Sequence, residues 1–509
     1  MKKKMLSLLL ASMMAVTMLP VSSFAEELEA EGESDEIVEI NMVGLGFFGE
    51  GGKEEVMDAI NEISEAEIGV HVNYTIMDIQ TYMTQVPLMI ADASAGLDLI
   101  MFNAMPTTSF TTLTAQKQLM DITDYLGEYA PETMELMADY IPATTVGDAI
   151  YGMPAYRIYN SSYYIVMRKD VLDELGLTEE AQAIDSWSAY KDLLVKVHDA
   201  QDSLPAEMQT NAMVTNTDTQ GNVLMGMYVN PAADAFADDY GFDTLGDSNR
   251  IIKVNDDGKV ENFFASDDYR TCIERTKDFY DADLIYKDAA TSQDGSDQQM
   301  ANGITFSYCV QSEYGVEQAK ANATGYEVVC VPYIDVPIQT SNGNTWGWGV
   351  PVNSEEPEAA VAFMNLMYTN SEIENLFVYG IEGRDYELND AGEACLLDTK
   401  EYQNSDFFFG NQFNAYPAEG TGSDFREKAL EQMLAAEISP YYGCVVDTDP
   451  IANTITAIKA VLTKYENGLE SGSAPLENLD KMLEELEGAG LQEYMDYYQT
   501  SLDEWLAQQ

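Results

Sequence analysis

Residues 342–386, NGNTWGWGVPVNSEEPEAAVAFMNLMYTNSEIENLFVYGIEGRDY, decide how the chain folds. Trp346 and Trp348 stand two residues apart, so an extended backbone points both indoles to one side. Gly343, Gly347 and Gly349 add little bulk around them, which leaves flat aromatic faces open to a partner. A helix start follows, with Asn353 or Ser354 as cap, Glu355 and Glu356 in the first turn, and Pro357 where a missing N–H costs least. Ala360, Val361, Phe363, Met364, Met367 and Tyr368 give that helix a broad apolar stripe. Ser371 and Glu374 are spaced as a capping box for a second helix, and Gly380 stops it. A strand and two helices in this order belong to an α/β lobe. The tryptophans either fill its core or floor a ligand site.

Working outward, the first hundred residues repeat the alternation. A strand over 36–43, a helix over 53–65, a strand over 70–77, a helix over 80–92 and an apolar strand over 97–102 predict a doubly wound lobe. Gly44, Gly46 and Gly49 match the G-x-G-x-x-G dinucleotide fingerprint. That reading is rejected, because Phe47 and Phe48 are bulky where a pyrophosphate would approach and the chain begins with an export signal. What survives is a Gly-rich turn that presents N–H groups and rings at the carboxyl edge of the sheet, where Asn103 also opens a loop.

Farther along, 156–167 (YRIYNSSYYIVM) reads as a crossing strand or hairpin, helices are expected over 187–200 and 268–280, and strands over 303–306 and 327–331. Asn255 to Lys259 resemble part of a calcium loop without its twelfth-position glutamate, so a hairpin turn at Asp257-Gly258 is the simpler reading. Residues 407–416 (FFFGNQFNAY) mix flat rings with amides, and the last hundred residues predict helices over 423–437, 450–465, 476–487 and 491–507.

At 509 residues the chain exceeds one ordinary core, so two domains are expected. Lys2 to Lys4, an apolar run over 5–19 and Ser23-Phe24-Ala25 have the order of a secretory signal, cut after Ala25 and followed by an acidic leader over 26–36. The run is too short for a comfortable membrane span. A net charge of −63 argues against nucleic acid or an anionic lipid surface as partner, and reads as solubility. The five cysteines are far apart, with no C-x-x-C and no His/Cys cluster, so neither a metal nor a cofactor is expected. Only His71 and His198 offer an imidazole, and G-x-S-x-G, H-E-x-x-H and Walker patterns are absent. A glycosidase needs only a pair among the 88 acidic side chains, so a secreted carbohydrate-active enzyme stays as an alternative. Rings for the C–H faces of a sugar and amides for its hydroxyls favour carbohydrate binding without catalysis.

Several short motifs stand in a telling order: Leu97-Asp98-Leu99, Ile150 to Pro154, Met167 to Asp170, Trp346-Gly347 leading to Asn353 through Ala360, Tyr379 to Tyr386, Gly410 to Phe413, and a tail closing on Gln499 to Trp505. In these the chain resembles the family 1 extracellular solute-binding proteins of ABC importers, especially the LipO-like subgroup associated with oligosaccharide or aldouronate uptake. The resemblance implies a type II periplasmic-binding-protein fold, with two doubly wound α/β lobes, a multi-strand hinge and a helical C-terminal tail. It places the first lobe at 36–155 and 345–400 and the second at 156–344 and 401–509. It also implies a non-enzyme, a monomer, that captures a small-molecule solute and delivers it to a membrane permease; a peptide or polyamine is the non-sugar alternative. Gram-positive members usually carry a lipobox cysteine. None stands near Ala25, so the expectation is an exported protein, extracellular, cell-wall-associated or periplasmic, without a lipid anchor.

The ligand-binding candidates follow from chemistry and place. Trp346 and Trp348 are stacking rings, joined by Tyr156 and Tyr159 from the crossing strand. Phe48 and Asn103 line the first-lobe side, while Asn411, Asn414 and Tyr416 reach in from the later loop. Arg157 and Arg384 either pair with a uronate carboxylate or form salt bridges, and Glu382 either orients Arg384 or accepts sugar hydroxyls.

Overall fold

A computed structural model describes residues 37–46, 51–217, 220–224, 234–236, 242–255 and 257–509. The export signal, the acidic leader and Phe48 lie outside the described residues. The main strands are β1 (Val38–Leu45), β2 (Val70–Met77), β3 (Leu99–Phe102), β4 (Met153–Pro154), β5 (Ser161–Arg168), β6 (Ala212–Val214), β7 (Thr305–Ser312), β8 (Val328–Val336) and β9 (Gly347–Gly349). They form a five-stranded sheet in the order β2-β1-β3-β9-β4 and a four-stranded sheet in the order β8-β5-β7-β6.

The first sheet grows from simple periodicity. In β2, Val70, Val72, Tyr74 and Ile76 point inward and the residues between them do not. All four residues of β3 are buried, as in a strand covered on both faces. β1 runs parallel to β2, from Val38 opposite Val70 to Leu45 opposite Met77, and the helix Lys53–Ile68 makes the crossover with Val56, Met57 and Ile60 buried. β9 departs from the winding, running antiparallel between β3 and β4. In the second sheet β5 is central and antiparallel to β7 and β8, while β6 lies parallel to β7.

Each sheet carries its own hydrophobic core. Ile40, Tyr82, Phe102, Trp348 and Phe363 belong to one; Ile165, Trp187, Phe306, Tyr465 and Tyr494 belong to the other. The chain passes between them first between Tyr159 and Tyr163, next between Ile334 and Ile338, and last after Met433. The second and third crossings pair through Ile338 N–H to Glu437 O and Ser439 N–H to Ile338 O. The first crossing also joins the second, Ser161 opposite Val336 and Ser162 opposite Asp335, and just before it Tyr156 N–H donates to Gly410 O while Gln412 N–H donates to Tyr156 O.

Several expectations change. Residues 401–440, expected in the second lobe, pack on the first core through Tyr402, Phe408, Phe409, Ala415 and Met433. The reason is the WGW strand. Trp346 and Trp348 do face one side, but Phe407 to Phe409 cover it. Trp346 meets Phe407 at 5.3 Å and Phe408 at 5.8 Å, and Trp348 stacks on Phe409 at 6.3 Å. Trp348 is wholly buried, its indole N–H donating to Phe408 O at 3.0 Å, so it is core and no solute reaches it. The neighbouring glycines serve close approach: a Cβ on Gly347 would run into the Met153 carbonyl and the Phe102 ring.

The helices beyond start slightly off their sequence signals, the first later and the second one residue earlier. Pro357–Thr369 begins at the proline, and Ser354 donates to Asp98 Oδ1 at 2.7 Å instead of capping. Ser371–Tyr379 is capped by Asn370, which accepts from the N–H groups of Glu372 and Ile373, so Glu374 is free to turn inward. Replacing a buried tryptophan leaves a cavity costing about 3–5 kcal/mol. Trp348→Ala is expected to lose stability on that scale in chemical denaturation, and Trp346→Ala distinctly less.

Candidate functional site

The antiparallel pairing of β5 with β7 brings the start of one and the end of the other to a common edge, with Tyr163 opposite Gln311. Gln311 Nε2 donates to Ser161 Oγ at 2.7 Å across that edge. The second crossing arrives beside it and turns into the short helix Thr340–Asn344. Gln339 caps this helix reciprocally, its own N–H donating to Asn342 Oδ1 at 2.7 Å. Gln339 also joins the crossing to the next wall, since Thr244 Oγ1 donates to its Oε1 at 3.0 Å and its Nε2 donates to Phe242 O at 3.4 Å.

These elements enclose a cavity of about 240 Å³ lined by Tyr163, Phe242, Thr244, Asp247, Arg250, Ile252, Phe263, Gln311, Val336, Gln339, Ser341 and Asn342. Rings, amides, hydroxyls, one carboxyl and one guanidinium meet there. Asp247 is buried, and burial pushes its carboxyl above the ordinary range against the hydrogen bonds it accepts. Arg250 reaches Glu466 and Glu470; burial pushes Glu470 up to about 7 and the Arg250 charge opposes the shift.

The sequence candidates divide. Arg157 belongs with the cavity: its Nη2 donates to Asn342 O at 3.0 Å and its Nη1 lies 3.7 Å from Glu313 Oε1. Trp346 is half-buried at the first sheet's edge, its O accepting from Ala155 N–H at the start of the first crossing. Tyr156 and Tyr159 are corrected to core residues. Both rings pack on Tyr140, at 5.8 and 4.8 Å, and Tyr159 OH donates to Ala155 O at 2.5 Å. Asn103 is fully buried and builds a turn, its Oδ1 accepting from Met105 N–H and Thr108 Oγ1.

Asn411 and Asn414 both donate from Nδ2 to Tyr368 O, closing the end of the helix Pro357–Thr369. Tyr416 packs near Tyr386 at 6.2 Å and holds Tyr379 OH and Arg426 through its carbonyl. Arg384 is a salt-bridge residue, 2.6 Å from Asp385 and 3.3 Å from Glu55, and Glu382 is exposed in the neighbouring turn. Sequence reasoning missed Tyr163, Gln311, Gln339, Asp247 and Arg250. The signals were there: Tyr163 stands in the tyrosine-dense crossing strand, and Arg250 is one of 25 cations set against 88 acids.

The imidazoles sit beside carboxylates close by in the chain, His71 at 2.6 Å from Glu65 and His198 at 3.4 Å from Asp199. Among the described residues no group of His, Cys, Asp and Glu is placed to hold a metal ion, and the five cysteines are unpaired.

Residues 51–373 match the family described as bacterial extracellular solute-binding protein, and residues 440–507 match one described only as a domain of unknown function. A carbohydrate ABC transporter substrate-binding protein of Streptococcus pneumoniae is 21% identical over 376 residues, 72% of each chain. The crystal structure of the N-glycan transport solute binding protein NgtS from the same species superposes with a TM-score of 0.76 at 18% identity, covering 92% of this chain and 99% of that one. An HMO-binding, ABC-transporter-associated solute binding protein from Bifidobacterium longum infantis gives 0.68 at 15% identity, covering 92% and 98%. The fold is therefore the two-lobed α/β fold of solute-binding proteins.

The pH response of this framework is testable at Glu374, which accepts from Asn411 N–H at 3.3 Å and so supports the segment flanking the first crossing. Burial pushes its carboxyl up to about 8. The folded state then keeps a proton that the unfolded chain releases near pH ~4.3, so stability is full below that value and falls as pH rises toward about 8. In Glu374→Gln the melting temperature should fall less between about pH 5 and about pH 8.5 than in the parent. An identical fall in both proteins would refute the assignment.

Proposed function

The chain belongs to the bacterial extracellular solute-binding proteins, and on that premise we propose that it captures an oligosaccharide outside the cytoplasmic membrane and hands it to the permease of an ABC importer. The observation that carries the reading is the cavity beside the crossings, where Tyr163, Phe242 and Phe263 adjoin the amides of Gln311, Gln339 and Asn342 and the hydroxyls of Thr244 and Ser341. Aromatic faces take the apolar C–H side of a pyranose, and planar amides satisfy its hydroxyl rim. Trp346 supplies a ring from the first core. The relatives whose names speak of N-glycan, HMO and carbohydrate support the same class.

A neutral saccharide suits the site better than a uronate. Arg157 faces Glu313, and Arg250 is held by Glu466 and Glu470, so each nearby cation already has a carboxylate partner. Binding draws the two cores together about their crossings and presents a closed shape to the permease. No bond in the solute is broken.

Thermal melts and calorimetry with a panel of neutral and acidic oligosaccharides test this. A neutral oligosaccharide is expected to raise the melting temperature by mass action and to be recovered intact by chromatography. Trp346→Ala should weaken its binding by roughly 0.5–1.5 kcal/mol. A shift produced only by peptides or polyamines, or consumption of the sugar, would overturn the reading.

A further inference from the structure

Residues 243–252 contribute to one wall of the cavity on a backbone with two strained positions. Leu245 and Arg250 have φ of 48° and 56°, the left-handed region that residues with a Cβ avoid, and Gly246 between them has φ 73°. Such a conformation persists only where surrounding contacts impose it. Here some of the contacts are the loop's own, and others come from the far end of the chain.

Asp247, 5% exposed, accepts from the N–H groups of Asn249, Ile251 and Ile252 and from Tyr494 OH at 2.5 Å. Burial and the Asp247 charge push the Tyr494 phenol far above its ordinary value, so it keeps its proton and donates. The same oxygen accepts from Asn249 Nδ2 at 3.2 Å. Arg250, the second left-handed residue, reaches Glu466 and Glu470 at the end of the helix Ala452–Glu470, and Tyr269 OH donates to Glu470 at 3.1 Å. At the other end of the loop Ser439 Oγ donates to Asp243 Oδ2. The C-terminal helical segment packs on the second core through apolar side chains such as Leu462, Leu486 and Leu502, and these polar bonds to the loop come in addition. Buried polar bonds add little net stability, because desolvation offsets them, but they fix position.

We propose that the C-terminal helical segment, residues 440–507, shapes the solute cavity, with Tyr494 and the Glu466–Glu470 pair as positioning residues that hold Thr244, Asp247 and Arg250 in place for the sugar. The assignment of a sugar rests on the reading given above; the holding of the loop does not. Specificity for the solute is then written partly in residues that never touch it.

Tyr494→Phe removes one hydroxyl and keeps the ring. Tyr465→Phe is the control: its hydroxyl donates to Glu485 at 2.7 Å within the same helical segment, away from the loop. Hydrogen exchange of the backbone amides at 245–252 is expected to speed up in Tyr494→Phe and not in the control. Calorimetry with the neutral oligosaccharide that shifts the parent's melt should show affinity about tenfold weaker in Tyr494→Phe and unchanged in Tyr465→Phe. Unchanged exchange at 245–252 overturns the proposal, as does faster exchange with parental affinity. Faster exchange in a protein whose parent binds no saccharide leaves the loop's anchoring standing and rejects the sugar reading.

Discussion

β9 lies between β3 and β4 at a spacing that leaves no room for side chains on Gly347 or Gly349, and this close approach governs the arrangement of the chain. A Cβ at Gly349 would meet the Leu119 side chain and the Tyr151 carbonyl, much as one at Gly347 would meet Met153 and Phe102. Because the strand is drawn in so tightly, Trp348 is driven into the core and Phe407 to Phe409 close over it. Those phenylalanines bring residues 410–412 alongside Tyr156, which fixes the first crossing. The second crossing reaches β9 only a few residues after Gln339, so the cavity wall at 339–342 inherits its position from the same strand.

Much of this frame was legible in the chain itself. β2, the helix Trp187–Ala200 and the C-terminal helices follow their hydrophobic periods, and each emerges within a few residues of its expected bounds. Period says which face of an element is buried, not which core buries it. That is why residues 401–440 were expected on the wrong core.

The candidate site was harder to read for a related reason. Nothing local distinguishes a ring that waits for a sugar from one that meets a distant ring of its own chain. Trp348 meets Phe409, and Tyr159 meets Tyr140, so neither is open to a ligand. Asn411 and Asn414 looked like sugar-binding amides, yet they satisfy the Tyr368 carbonyl that the helix end leaves exposed. The loop at 243–252 escaped notice because its conformation depends on Tyr494 and Glu470, more than two hundred positions away. Arg157 and Trp346 stand out in one dimension because charge is scarce and because a tryptophan beside glycines marks a strand end.

The fastening of the crossings sets how the molecule can flex. Ile338, Glu437 and Ser439 bind the second and third passages into one ribbon, and the first is fastened to that ribbon where Ser161 and Ser162 lie opposite Val336 and Asp335. Three passages fastened side by side resist torsion and sliding and leave a single swing. Solutes of different length would then be met by one arc of travel stopped at different angles.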